Sequence, residues 1–96
     1  MKVTVRLEAE RDLDRIFDWI AKDNPRAAAD LIARISDRIN QLELDAVAHM
    51  GRKGLVAGTR ELIEYPYIVV YQVIDERGEV VVLSIIHGAQ GRGSDS

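Results

Sequence analysis

The segments Tyr67–Ile74 and Glu79–His87 are apolar at almost every position, and only Asp75-Glu76-Arg77-Gly78 parts them. No other feature narrows the fold of this chain as far. A half-buried strand alternates apolar with polar residues, whereas these two runs put large side chains on both faces. In the first, Tyr67, Val69, Tyr71 and Val73 share one side, and Ile68, Val70 and Ile74 share the other. In the second, Val81, Leu83 and Ile85 alternate with Val80, Val82 and Ile86. The length of each run and its wealth of Val, Ile and Tyr suit a strand. The turn between them ends in Gly78, the residue type that most readily accepts a positive φ. Two such strands form the middle of a sheet, and both of their faces need cover.

The rest of the chain supplies cover for one face. Lys2 to Leu7 alternates Val3, Val5 and Leu7 with Lys2, Thr4 and Arg6, the period of a strand. From about Glu8 the period changes to a helical stripe of Ala9, Leu13, Ile16, Phe17 and Ile20 that ends near Lys22. Glu8, Glu10 and Asp12 crowd its first turn, where the helix dipole favours negative charge. Asp23-Asn24-Pro25 is strong punctuation: Asn24 suits an N-cap and Pro25 the first helical position. A second stripe, Ala28, Leu31, Ile32, Ile35, Ile39 and Leu42, then runs to about Leu44. Two helices so closely joined form an antiparallel hairpin. Residues 49–58 read as a glycine-punctuated loop, and Thr59–Glu64 reads as a strand joined to the next by Tyr65-Pro66. The order is β-α-α-β-β-β. The expected fold is α+β, a helical hairpin packed on a four-stranded, mostly antiparallel sheet, with residues 1–96 one domain and 88–96 a flexible tail.

One helical hairpin blankets one face of a sheet, so the opposite face is expected to expose several large side chains and to mark a protein–protein site. Trp19 lies off the inward stripe of the first helix, which suits either the edge of the core or an anchor for a partner.

Composition closes off several classes of function. The chain has no cysteine, which removes disulfides, thiol chemistry and Cys-ligated zinc. Two histidines, His49 and His87, are too few for a His-rich metal site, and no cofactor is expected. No apolar run approaches a membrane span and the N-terminus lacks a signal-peptide core, so a cytoplasmic protein with no membrane contact is expected. The net charge of −3 leaves no overall basic excess with which to grip a phosphate backbone, although a local basic patch remains compatible with it. Gly51, Gly54 and Gly58 match no phosphate-binding loop, and no strand directly precedes them.

Several stretches carry a resemblance to a known family. Asp12-Leu13-Asp14-Arg15-Ile16 and Trp19-Ile20-Ala21-Lys22-Asp23-Asn24-Pro25-Arg26-Ala27-Ala28 resemble the helical hairpin of the ParE/RelE toxin superfamily. More specific is Gly51-Arg52-Lys53-Gly54-Leu55-Val56-Ala57-Gly58-Thr59-Arg60-Glu61-Leu62, followed by Tyr65-Pro66-Tyr67-Ile68-Val69-Val70-Tyr71 and by Ile85-Ile86-His87-Gly88-Ala89. Together these resemble the signatures of ParE-like plasmid-stabilisation toxins over about residues 3 to 91, and the family has the element order derived above.

The resemblance implies one of two activities. RelE-type members are ribosome-dependent mRNA endonucleases that tend to carry a Tyr-Arg pair entering the third strand and a basic C-terminus ending in Tyr. Here the pair is Tyr67-Ile68, and the C-terminal match is only Ala89-Gln90-Gly91-Arg92-Gly93, with no Tyr. ParE-type members poison DNA gyrase, and that is the activity expected here. A nuclease would draw on Arg52 and Arg60 for charge and on Glu61 or His87 for proton transfer. Arg60 and Glu61 are adjacent in a strand and point to opposite faces, which makes a joint site awkward. The resemblance also implies a cognate ParD-like antitoxin with a ribbon-helix-helix N-terminus, in a hetero-oligomer that reaches DNA only through the antitoxin. Trp19, Leu31, Ile35, Tyr67 and Tyr71 are the expected antitoxin contacts, and Arg60, His87 and Arg92 the expected target contacts.

Overall fold

A computed structural model describes residues 1–88 of the chain. Its elements are β1 (Lys2–Val5), α1 (Leu7–Ala21), α2 (Pro25–Gln41), a single turn α3 (Asp45–Ala48), β2 (Arg52–Lys53), β3 (Arg60–Glu64), β4 (Tyr67–Ile74) and β5 (Glu79–His87). They build one five-stranded sheet in the order β1-β5-β4-β3-β2, with α1 packed on β5 and α2 on β3. The expected α+β class and helical hairpin hold. The sheet is mixed, because β1 runs parallel to β5 while the other pairings are antiparallel. The fifth strand is β2, two residues inside the segment read as loop; Arg-Lys has no strand periodicity, and only pairing with Glu61 and Arg60 makes it one.

Local chemistry explains where the helices begin and end. Asn24 takes extended angles (φ −153°, ψ 90°), and its Oδ1 accepts a hydrogen bond from the Ala27 N–H at 3.0 Å, with Pro25 following. That bond satisfies one of the four orphan donors of the first turn. Asn24→Ala is therefore expected to cost about 1 kcal/mol, read as a lower urea midpoint with an unchanged slope. α2 stops at Gln41, short of the expected Leu44, because the chain turns to bury Leu42 completely and re-enters a helix at Asp45. In the β4–β5 turn, Gly78 adopts φ 59° and ψ 40° after a 3-10 turn over Asp75–Arg77, as its position in the sequence leads one to expect. The Tyr65-Pro66 connection between β3 and β4 carries a cis peptide bond.

The core lies between the helices and one face of the sheet. Ile16, Leu31, Ile35, Ile39 and Leu42 meet Leu62, Val69, Tyr71, Val80, Val82 and Ile85. Alternation in β5 breaks at a bulge: Val70 pairs with Ser84, but Tyr71 pairs with Val82, so Leu83 is skipped. One inserted residue reverses the facing of everything beyond it. Ile85 thus joins Val80 and Val82 in the core at 4% exposure instead of opposing them, which corrects the simple alternation.

The outer face is apolar but less bare than expected. Val70, Ile74, Val81, Leu83 and Ile86 are half-buried and Ile68 is buried, so of the outer-face side chains only Ile63 counts as an exposed large hydrophobe. Gly88 closes over one end: a Cβ placed there would lie 3.6 Å from the Ile68 Cδ1. Apart from Tyr65 in the β3–β4 connection, the exposed apolar groups gather instead along α1 (Leu7, Phe17, Trp19) and through residues 44–56 (Leu44, Met50, Leu55, Val56). Phe17, which the helical stripe turns inward, lies at its exposed edge.

Candidate functional site

β1 pairs with β5 only from Glu79 to Val82, and the Arg6 N–H donating to the Val82 carbonyl at 3.0 Å is the last rung. Beyond it the flank of β5 has no neighbouring strand among the described residues, and α1 crosses above. Backbone donors on such a flank need partners. Asp12 of α1 supplies one, its Oδ2 accepting from the Ile85 N–H at 2.9 Å, while Oδ1 pairs with Arg15. Asp12, expected in the first turn of α1 beside Glu8 and Glu10, lies one turn further along and is turned inward. Ala9, Asp12, Leu13 and Ile16 lie on one side of the helix, so the signal was an acid placed among inward residues.

Between α1 and this end of the sheet is a cleft of about 630 Å³, lined by Asp12, Arg15, Ile16, Trp19, Tyr67, Ile85, Ile86 and His87. Trp19 stands on its rim at 69% exposure, with the Lys22 ammonium 5.3 Å from the ring centroid. The His87 ring meets Tyr67 edge to face, with centroids 5.3 Å apart and an interplanar angle of 84°. Both Asp12 oxygens are engaged, so this carboxylate organises the cleft and is poorly placed to move a proton. The walls combine aromatic and aliphatic groups with an inward carboxylate and an exposed arginine, a make-up that suits a protein segment.

Of the five residues expected to meet an antitoxin, Trp19 and Tyr67 line this cleft. Leu31, Ile35 and Tyr71 do not: at 6%, 0% and 0% exposure they are core residues. The helical stripe that singles out Leu31 and Ile35 is the face α2 presses on the sheet. Tyr71 spans the interior, its hydroxyl donating to the Ala48 carbonyl at 2.8 Å, and burial pushes its phenol above the usual range.

The four residues considered for nuclease chemistry are not brought together. Glu61 is buried at 3% exposure on the outer face, where the Arg52 Nε donates to its Oε1 at 3.1 Å. Arg60 points to the helix side, as strand alternation requires, and its Nη1 donates to the His49 and Gly51 carbonyls at 3.2 and 2.9 Å. His87 lies in the cleft. The two expected target contacts among the described residues, Arg60 and His87, lie on different strands flanking β4, paired with Tyr71 and Tyr67, and Arg92 lies outside the described residues. Among the described residues no cluster of three metal-ligating side chains occurs and no helix is long and apolar enough to cross a membrane.

A histidine that the sequence leaves without a role fastens the α3 segment. His49 Nδ1 lies 2.8 Å from the Asp45 carbonyl and Nε2 lies 2.9 Å from Asp75 Oδ1. Both partners are acceptors, so the imidazolium, with two N–H donors, satisfies the geometry. The backbone bond to Asp45 and then the Asp75 side-chain bond raise its pKa above 6.5, against desolvation and the nearby Arg60. A raised folded-state pKa means that the bridge stabilises fully below the unfolded value of about 6.5 and fades as pH rises through the folded value. Wild type should therefore exceed His49→Gln in melting temperature at acid pH, with the gap closing on the alkaline side. A gap independent of pH would contradict a charged bridge.

Residues 3–91 match the family model described as the ParE toxin of the type II toxin–antitoxin system parDE. Y4kP of Sinorhizobium fredii, a protein named as a toxin, is 37% identical over 86 residues, which span 88% of this chain and 84% of that protein. Among solved structures, one described as the chromosomal ParDE toxin–antitoxin system from P. aeruginosa superposes with a TM-score of 0.77 at 26% identity, covering 91% of this chain and 95% of that one. The RelBE2 toxin–antitoxin complex from Mycobacterium tuberculosis gives a TM-score of 0.59 at 26% identity, covering 90% and 88%.

Proposed function

The chain belongs to the ParE toxin family of type II toxin–antitoxin systems, and from that premise we propose that it inhibits DNA gyrase without cleaving RNA and is neutralised by a ParD-like antitoxin. The observation that carries the choice of target is the division of the candidate nuclease residues. Arg52 and Glu61 are paired on the outer face, while Arg60 and His87 lie on the helix side on separate strands, against Tyr71 and Tyr67 of β4. Cleavage at a 2′-hydroxyl needs base, acid and cation within hydrogen-bond reach of one phosphate. Ile68, buried at 3% exposure where RelE-type chains place an arginine, supports the same reading.

The antitoxin occupies the cleft below α1 in this reading. Trp19 is a large exposed aromatic on its rim, and such groups lose much water-contacting surface when a partner docks. A segment that folds on binding would lay apolar side chains against Ile16, Tyr67 and Ile85.

Purified protein added to a supercoiling reaction should stall gyrase and leave ribosome-bound mRNA uncut. Intact supercoiling together with cut codons would replace this activity with the RelE-type endonuclease. Arg60→Ala and Arg92→Ala test the C-terminal half; toxicity unchanged in both would remove them from the target contact.

A further inference from the structure

Residues 46–60 contain Arg52, Lys53 and Arg60 and no Asp or Glu, in a chain of net charge −3. Removing those three from 13 Lys/Arg leaves 10 against 16 acids, so the remainder carries −6. The fold concentrates the local excess. Lys53 and Arg60 are register partners across β2 and β3 and so share a face, an arrangement of like charges that is unfavourable unless an anion joins them. Arg60 is anchored to two carbonyls, while the Lys53 side chain has no ion pair or hydrogen bond among the described residues. Both border a hollow of about 390 Å³, and the one acid among its described lining residues, Asp75, is already bonded to His49.

The loop above the hollow has its shape set by its own bonds. Gly54 N–H donates to the Thr59 carbonyl at 2.9 Å, and both the Thr59 N–H and Oγ1 donate to the Val56 carbonyl, at 3.1 and 2.6 Å. A Cβ at Gly54 would collide with Thr59 Oγ1, so the turn closes tightly only around glycine. With its backbone tied inward, the loop presents Leu55 and Val56 to solvent at 59% and 69% exposure. An apolar tip beside two like-charged cations, held in one shape, meets a partner with little ordering cost.

We propose that the hairpin 52–61 and its hollow form a second docking surface, which takes a protein segment with carboxylates flanking a large apolar side chain. It lies at the other end of β4 from the α1 cleft, about 20 Å away at roughly 3.3 Å per residue from Tyr67 to Val73, and stands independently of gyrase as the target. Charge and apolarity together select the partner. Carboxylates answer Lys53 and Arg60, and Leu55 and Val56 offer a phosphate backbone nothing. A polyanion extending beyond a screening length of about 8 Å would also meet the acidic remainder of the chain.

The test is an amide chemical-shift titration of the full chain with three probes: a peptide bearing Glu-Leu-Glu, its Gln-Leu-Gln analogue, and an oligothymidylate. The acidic peptide should shift amides from Lys53 to Arg60, and the other two should leave them in place. Lys53→Glu and, separately, Val56→Ser should each weaken that binding about fivefold, in keeping with the modest worth of a single exposed interaction. Their spectra elsewhere should match wild type. Equal response to the Gln analogue, stronger response to the oligonucleotide, shifts confined to the α1 cleft, or no shift at all would each overturn the proposal.

Discussion

Gly51→Ala should lower the stability of the free chain by about 3 kcal/mol, which makes it the most damaging single methyl group we expect in this fold. A Cβ at Gly51 would lie 2.0 Å from the Tyr71 hydroxyl oxygen and 2.9 Å from its Cζ, well inside van der Waals distance. The ring has nowhere to retreat. Tyr71 is fully buried, packed in the core, and its hydroxyl donates to the Ala48 carbonyl at 2.8 Å. Relief of the clash either swings the ring, which breaks that bond and leaves a buried hydroxyl unsatisfied, or displaces the Gly51 backbone. The second route disturbs Arg60, which donates to the Gly51 carbonyl. Urea unfolding measures the effect. The double variant Gly51→Ala/Tyr71→Phe removes the oxygen in the way and should recover part of the loss; no recovery would show that the clash is not the cause.

Trp19→Ala should weaken antitoxin binding about thirtyfold, or about 2 kcal/mol, while hardly changing the stability of the free toxin. The asymmetry follows from its exposure. At 69% exposed in the free chain, the ring has little packing to give up, and the Lys22 ammonium lies over its face. Solvent-facing cation–π pairs contribute about 0.5–1 kcal/mol. On the rim of the cleft, however, the ring is placed to be covered by a docked segment. Calorimetric titration of antitoxin into both forms gives the affinity, and thermal melts of the free proteins give the control. Equal affinity would move the antitoxin away from this cleft. A large drop in melting temperature would mean that Trp19 serves the core.

The helical hairpin is legible in the sequence because its signals are local. A stripe at helical spacing, an N-cap asparagine and a proline act over a few residues and need nothing from the rest of the chain. The long β4 and β5 runs are legible for the same reason, as is Gly78 in the turn between them. The cleft is only partly so. Trp19 stands out as an off-stripe aromatic, but Leu31 and Ile35, expected from the resemblance to meet an antitoxin, are buried by the helical stripe to which they belong.

What the chain's sequence determined alone is the order of the main elements, the capping of α2 and a sheet with apolar residues on both faces. Tertiary structure decided the rest. The bulge that skips Leu83 and turns Ile85 inward depends on how β5 registers against β4, and β2 exists only because β3 lies beside it. Asp12 bonding Ile85, Tyr71 reaching Ala48 and His49 bridging to Asp75 join residues 73, 23 and 26 positions apart. Periodicity reports which way a side chain faces within its own element. Which group waits across the gap depends on how elements pack, and that is settled by burial and hydrogen-bond satisfaction over the whole chain.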